Sequence, residues 1–122
     1  MISLKVAIVQ IQTGPDKTSN LLKTASLFSS IKKHRANLIL LPEMFQCPYN
    51  LESFPIFAEE IPGGETSLFL AHLAREHHAF LIGGSIPEKK ENRYYNTTIV
   101  YSPSGEIIGI YRKIHLFDVD FE

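Results

Sequence analysis

This 122-residue sequence lacks tryptophan, long apolar runs and an excess of either charge, and it contains a single cysteine. The formal net charge of −1 argues against nucleic acid as a partner, because no basic field covers the chain. No run of 18 or more apolar residues occurs, so the sequence predicts no membrane span and no membrane partner. One cysteine cannot build a disulfide framework, which is typical of a reducing compartment.

The composition and the N-terminal segment are those of a globular protein. Hydrophobic residues make up 44% of the chain and charged residues 20%, and the length fits one domain or part of a larger one. The apolar N-terminal run carries its lysine, Lys5, inside the run and has no small-residue cleavage site, so it predicts a strand and not a signal peptide. We therefore expect a cytoplasmic protein, with the mitochondrion as the alternative.

Hydrophobic patterning predicts an α/β fold. Three short apolar segments, 4–10, 38–41 and 80–85, read as strands covered on both faces. Between them, residues 20–33 and 66–78 carry apolar side chains at helical spacing. A strand, a helix and a second buried strand form a βαβ unit, so the first strands are expected to be parallel.

The remaining segments predict a functional loop and a hairpin. Residues 44–65 are rich in proline, glycine and phenylalanine and read as a long ordered loop with a short helix at 54–59. A polar segment, 88–93, leads into a strand at 95–101, which turns into a second arm at 106–111. For the helix caps, Asp16 or Thr18 and then Thr66 are the expected residues.

Two ionisable residues follow predicted strands, where sheet enzymes place their chemistry. Glu43 follows the 38–41 strand; partial desolvation there is expected to raise its pKa toward the range of a general base. The alternative is a solvated glutamate at the start of a loop. Lys113 follows the second hairpin arm, where an ammonium could stabilise negative charge on a carbonyl oxygen. Its alternative is a surface lysine in a basic run.

The cysteine and the histidines give weaker signals. Cys47 could serve as a thiol nucleophile next to Glu43, although a small buried loop residue is the favoured interpretation. The histidines of the second helix, His72, His77 and His78, lack the spacing of four that metal pairs use, so no metal site is predicted. His115 lies two residues beyond Lys113 and is the histidine expected near a site, as a hydrogen-bonding support.

Several of these segments together resemble the nitrilase (carbon–nitrogen hydrolase) superfamily, and within it most resemble omega-amidases. The resemblance extends over nearly the whole chain. It rests on Val6-Ala7-Ile8-Val9-Gln10, Leu41-Pro42-Glu43, Pro48-Tyr49, Ile61-Pro62-Gly63, Leu81-Ile82-Gly83-Gly84-Ser85-Ile86-Pro87-Glu88, Tyr95-Asn96-Thr97 and Tyr111-Arg112-Lys113-Ile114-His115-Leu116-Phe117-Asp118.

The resemblance implies an α-β-β-α sandwich about twice as long as this chain, with a Glu-Lys-Cys triad. Glu43 matches the general base and Lys113 the residue that stabilises the oxyanion, while Tyr49 and His115 are carried over as substrate-binding or supporting residues. The family nucleophile follows the lysine by several tens of residues, and Cys47 does not match its motif. The implied substrate is a small amide, with no cofactor, and family members form dimers or larger assemblies.

From this resemblance we expect residues 1–122 to be a carbon–nitrogen hydrolase domain truncated before its nucleophilic cysteine. The isolated chain is then expected to be inactive or nearly so, because loss of a nucleophile removes several orders of magnitude of rate. An apolar sheet face is also expected to be uncovered. The competing hypothesis is a non-catalytic protein of the same ancestry that binds a partner or a small carboxylate.

Overall fold

The computed structural model describes residues 3–117, in which one sheet carries its helices on a single face. The elements are β1 (Val6–Ile8), α1 (Lys17–Ile31), a 3-10 turn (Lys32–His34), β2 (Leu38–Leu40), α2 (Ser53–Phe57), α3 (Glu65–His77), β3 (Phe80–Ile82), β4 (Ile86–Lys90), β5 (Arg93–Tyr101) and β6 (Ile107–Arg112). Strands β1, β2 and β3 are parallel neighbours, as the βαβ interpretation predicts. The long β5 then pairs antiparallel with β3, β4 and β6. The α/β class is confirmed.

Strand β4 corrects the sequence-based prediction. The polar segment 88–93 was expected to be a lead-in, but Ile86–Lys90 is a full strand paired with Arg93–Tyr101. The sequence did not indicate this strand because most of its residues are polar. Glu88 is charged although it is only 1% exposed. Antiparallel pairing with β5, and not apolar periodicity, defines this strand.

The two faces of the sheet differ sharply in burial. Alternate side chains of the central strands, including Ile39, Leu81 and Ile99, join Phe28 of α1 and Leu70 of α3 in one hydrophobic core. On the opposite face no helix covers the strands within residues 3–117. We call this the open face, and its most exposed members are Val6, Ile8, Phe80 and Tyr111.

The helix starts are partly as expected. Asp16 caps α1, with its Oδ1 accepting the backbone N–H of Ser19 at 2.6 Å. The prediction that Thr66 caps the second helix was wrong, because Gly64 occupies the N-cap and Thr66 is buried in the first turn. The capping role belongs instead to Glu59, whose Oε1 accepts the N–H of Ser67 at 3.0 Å.

The long loop after β2 is held in place by the same glutamate. Glu59 accepts a hydrogen bond from the Lys17 ammonium at 2.7 Å, which connects the loop to α1. Its backbone pairs with β4, since the N–H of Glu59 donates to Pro87 and the N–H of Lys89 donates to Glu59. The short helix α2 lies within this loop, near the predicted position. The loop is therefore ordered by polar contacts to two helices and one strand.

None of the helices within residues 3–117 combines the length and hydropathy needed to cross a bilayer.

Candidate active site

The position of Glu43 is set by a close approach of two chain segments beyond the ends of β2 and β3. The N–H of Met44 donates to the carbonyl of Ser85 at 2.9 Å, and Glu43 and Ser85 form a parallel bridge. Gly84 makes the approach possible: its φ is +61°, and a Cβ there would lie 2.1 Å from the carbonyl oxygen of Pro42. Only glycine fits this position without a shift of the backbone.

Lys113 reaches the same place from the other end of the chain. It follows directly after β6, and its backbone N–H donates to the carbonyl of Asn96 on β5 at 2.8 Å. Its Nζ then lies 2.8 Å from Oε1 of Glu43. The two residues singled out in the sequence as candidate catalytic groups thus form an ion pair.

Asn96 is a member of this site that sequence reasoning missed. Its Nδ2 donates to Glu43 Oε1 at 2.7 Å, and the residue is only 6% exposed. In the sequence it attracted notice only as part of an Asn-x-Thr pattern. Strand alternation could have indicated it, because Asn96 lies on the face opposite the buried Thr97 and Ile99.

The two supporting candidates occupy different positions. The Tyr49 hydroxyl donates to Glu43 Oε1 at 3.2 Å. It is the third donor to that oxygen, after Asn96 and Lys113. His115 is exposed and lines an open cavity beside Glu43. Its part as a hydrogen-bonding support stays a prediction.

The electrostatics of the pair differ from the expectation for Glu43. Its pKa is lowered, not raised, because the hydrogen bond from the Lys113 ammonium outweighs the effect of burial, with Asn96 adding to the lowering. Burial still acts to raise this pKa, but it does not prevail, and the Glu43 side chain is 45% exposed. The pKa of Lys113 is raised by the same hydrogen bond. Both groups are therefore charged at neutral pH.

An open cavity of about 510 Å³ surrounds the pair on the open face of the sheet. Its lining residues are Leu41, Glu43, Ile82, Gly84, Ser85, Asn96, Thr98, Tyr111, Lys113 and His115. The walls are mostly apolar, with an ionised carboxylate and an ammonium at one point. Such an arrangement can accept a proton at the carboxylate and stabilise negative charge beside the ammonium.

Cys47 lies outside this cavity. Its side chain is fully buried, and burial raises the pKa of the thiol to about 11. A buried thiol with that pKa is almost entirely protonated at neutral pH, which disfavours a role as a thiolate nucleophile. The interpretation of Cys47 as a small buried loop residue agrees with this environment.

The histidines of α3 contact other side chains. His72 lies 3.7 Å from the carboxylate of Glu76, and the ring of His77 packs edge-on against Phe28. Burial lowers the pKa of His77. Among residues 3–117, no group of three His, Cys, Asp or Glu side chains is arranged to hold a metal ion.

The sequence pattern of the carbon-nitrogen hydrolase family matches residues 5–122. The chain belongs to the carbon-nitrogen hydrolase family. The resemblance drawn from the sequence motifs is thereby confirmed.

Individual carbon-nitrogen hydrolases are similar to the chain over nearly its whole length. It is 42% identical to omega-amidase NIT2 of Mus musculus over 120 residues, which are 98% of this chain and 43% of that protein. It is 41% identical to omega-amidase NIT2 of Homo sapiens, again over 98% of the chain and 43% of the relative. The chain therefore spans less than half the length of the curated relatives it matches.

A solved structure shows the same architecture. Nit3 of Saccharomyces cerevisiae, a member of branch 10 of the nitrilase superfamily, superposes with a TM-score of 0.86 and 32% identity. The match covers 92% of this chain and 44% of Nit3. The mixed sheet with its helices on one face is thus a nitrilase-superfamily fold.

Proposed function

We propose that this chain supplies the general base and the oxyanion-stabilising lysine of an omega-amidase-type hydrolase. The substrate class is a monoamide of a dicarboxylic acid, which is hydrolysed to the acid and ammonia. Residues 1–122 then form the part of a carbon–nitrogen hydrolase domain that carries the glutamate and the lysine. The observation that carries the proposal is the 2.8 Å contact between Lys113 Nζ and Glu43 Oε1, formed across 70 residues of sequence beside an open cavity.

In the proposed reaction, Glu43 accepts the proton of a cysteine thiol, and the resulting thiolate attacks the amide carbonyl carbon. Lys113 stabilises the negative charge that develops on the carbonyl oxygen. The tetrahedral intermediate collapses to a thioester, and Glu43 returns its proton to the departing ammonia. A water molecule then gives a proton to Glu43, and its hydroxide adds to the thioester carbon. The C–S bond breaks, Glu43 returns the proton to the departing thiolate, and the acid is released.

The charge states of the pair support these roles. The lowered pKa of Glu43 keeps its carboxylate ionised at neutral pH and ready to accept a proton. The raised pKa of Lys113 keeps its ammonium charged when the oxyanion forms. Asn96 and Tyr49 hold the carboxylate oxygen in place as additional donors.

The thiol must come from outside this chain. Cys47 is its one cysteine, and that side chain is buried away from the cavity with a pKa near 11. We therefore expect the isolated chain to release no more ammonia from 2-oxoglutaramate than its own Glu43→Gln variant does. Turnover by the isolated chain that disappears in Glu43→Gln would contradict this part of the proposal.

A chimeric enzyme tests the proposed roles directly. In it, this chain replaces the matching 120 residues of mouse omega-amidase NIT2, and ammonia release from 2-oxoglutaramate is measured. We expect turnover by the chimera, and a loss of about 10²–10⁴-fold in kcat for Glu43→Gln and for Lys113→Met. The control is Glu76→Gln, which neutralises an exposed carboxylate paired with Lys32 far from the cavity.

The same assay separates the second candidate function, a non-catalytic protein that binds a small carboxylate or a partner. The buried state of the one cysteine favours that alternative. It predicts a folded chimera without turnover, whose cavity binds a dicarboxylic acid. An active chimera that keeps its rate in both Glu43→Gln and Lys113→Met would refute the proposed catalytic roles.

A further inference from the structure

A second ion pair joins Glu88 to Arg112, the residue that directly precedes Lys113. The guanidinium forms a bidentate contact, with Nε 2.8 Å from Oε2 of Glu88 and Nη2 2.6 Å from Oε1. The Thr97 hydroxyl donates to the same carboxylate at 2.6 Å. The guanidinium also stacks over the Tyr95 ring, 4.4 Å from its centroid. Every oxygen of this buried carboxylate is thus paired.

The two ion pairs lie on opposite faces of the same strand end. Arg112 is paired with Thr97 in the register of β5 and β6, on the face covered by the helices. Lys113 is the next residue, so its side chain points to the open face, where Glu43 and Asn96 lie. Arg112 and Lys113 are thus consecutive residues whose side chains point to opposite faces of the sheet.

The end of β6 is held by a neighbouring strand on one side only. Within residues 3–117, β6 pairs with β5 alone and so forms an edge of the sheet. The side chains that follow it are exposed, with Ile114 at 75% and Leu116 at 63%. The Arg112–Glu88 contact connects this terminus to a buried carboxylate of β4, a strand on the other side of β5.

We propose that the Glu88–Arg112 ion pair is a positioning device that holds the last residues of β6 so that Lys113 reaches Glu43. This inference rests on the proposed function of the Glu43–Lys113 pair. An arginine suits the task because its planar guanidinium fixes two hydrogen bonds at once, which a lysine ammonium cannot do. The stacking on Tyr95 restrains the same group from a second side. The position of β6 is thereby fixed one residue before the Lys113 ammonium.

The test measures the Lys113 contact itself. The Glu43 carboxyl is titrated by NMR in the 122-residue chain and in four variants: Glu88→Gln, Arg112→Lys, Lys113→Met and the exposed control Glu76→Gln. A second measurement follows the hydrogen exchange of the Lys113 amide, which donates to Asn96. A purely structural ion pair would change global stability in the first two variants but leave both local readouts unchanged in the folded molecules.

We expect Glu88→Gln to raise the Glu43 pKa toward 4.5, as Lys113→Met does, and to speed exchange of the Lys113 amide about tenfold or more. Arg112→Lys should produce a smaller shift of the same sign, and Glu76→Gln none. If Lys113→Met shifts the Glu43 pKa while Glu88→Gln and Arg112→Lys do not, the positioning role is overturned and the proposed function stands. If Lys113→Met itself has no effect, the Glu43–Lys113 pair and the proposed function both fail. Should Glu88→Gln not fold, Arg112→Lys decides between these outcomes, because it keeps the charge.

Discussion

The side chain of Asn96 on β5 donates a 2.7 Å hydrogen bond to Glu43, and the backbone carbonyl of Asn96 accepts the N–H of Lys113. One residue of β5 therefore contacts both candidate catalytic groups. The buried side-chain amide of Asn96 orients the Glu43 carboxylate, and the backbone carbonyl of Asn96 fixes the backbone of Lys113. The relative placement of the two groups depends on this central strand as much as on their own segments.

Asn96→Ala should raise the pKa of Glu43, because the variant loses one of the donors that stabilise the carboxylate. The rise should be smaller than in Lys113→Met, since the lysine is the larger cause of the lowering. NMR titration of the Glu43 carboxyl measures both. Asn92→Ala, an exposed asparagine in the β4–β5 turn, is the matched control and should change nothing. A larger effect of Asn96→Ala than of Lys113→Met would contradict this ranking.

Gly84→Ala should destabilise the chain by about 1–3 kcal/mol from its backbone conformation alone. A further loss should come from the clash with Pro42, whose carbonyl oxygen would lie 2.1 Å from the new Cβ. Urea unfolding measures the free energy change. Gly63→Ala is the control, because Gly63 also has a positive φ but an added Cβ there meets no atom within 4 Å. Equal losses in the two variants would show that the Pro42 contact has no part in the effect.

The Cys47 thiol should resist alkylation in the native chain. A pKa of about 11, against an ordinary 9.0, lowers the thiolate fraction at pH 8 roughly a hundredfold, and burial slows the reaction further. Iodoacetamide labelling followed by mass spectrometry should therefore show slow modification in buffer and complete modification in urea. Rapid labelling of the folded chain at pH 8 would mean that the thiol is more accessible than its burial indicates.

The Glu88 carboxylate should make stability depend on acid pH. Its pKa is lowered chiefly by the hydrogen bond from Arg112, so its contribution is fully present above the unfolded value of 4.5 and is lost as the pH falls through the lower folded value. Glu88→Gln should cost about 2 kcal/mol at pH 7, and the difference from the parent chain should shrink below pH 4.5. Urea titrations at a series of pH values measure this.

Glu52→Gln is the control for that titration, because Glu52 forms no salt bridge within residues 3–117. It should leave the pH dependence of the parent chain intact. A cost for Glu88→Gln that is the same at pH 7 and pH 3 would place the effect in packing instead of charge.

Patterning was sufficient to predict the parallel strands and helices, because these elements are defined by apolar periodicity. It failed at β4, where Pro87, Glu88 and two lysines interrupt any such pattern. That strand forms because β5 pairs along it and because Arg112 compensates the buried charge of Glu88. Neither contact is local in sequence, so no reading of residues 86–90 by themselves could have revealed them.

Glu43 and Lys113 could be singled out from the sequence, but the charges and hydrogen bonds around Glu43 could not. Position at the end of a buried strand led to an expected rise in the Glu43 pKa. The sign was wrong because an ammonium 70 residues away donates to that carboxylate. Asn96 was missed for a related reason, since its importance comes from the position of β5, which brings this residue into contact with both Glu43 and Lys113.

The register shift between Val100 and Tyr101 fixes how β6 aligns with β5, and therefore which face of the sheet each β6 side chain occupies. Side chains alternate along a strand, so deleting one residue between this shift and Arg112 would exchange the directions of that arginine and Lys113. The guanidinium would then face the cavity, and the amine would be turned toward the helices. Insertions and deletions in this hairpin should therefore be tolerated in twos far better than singly.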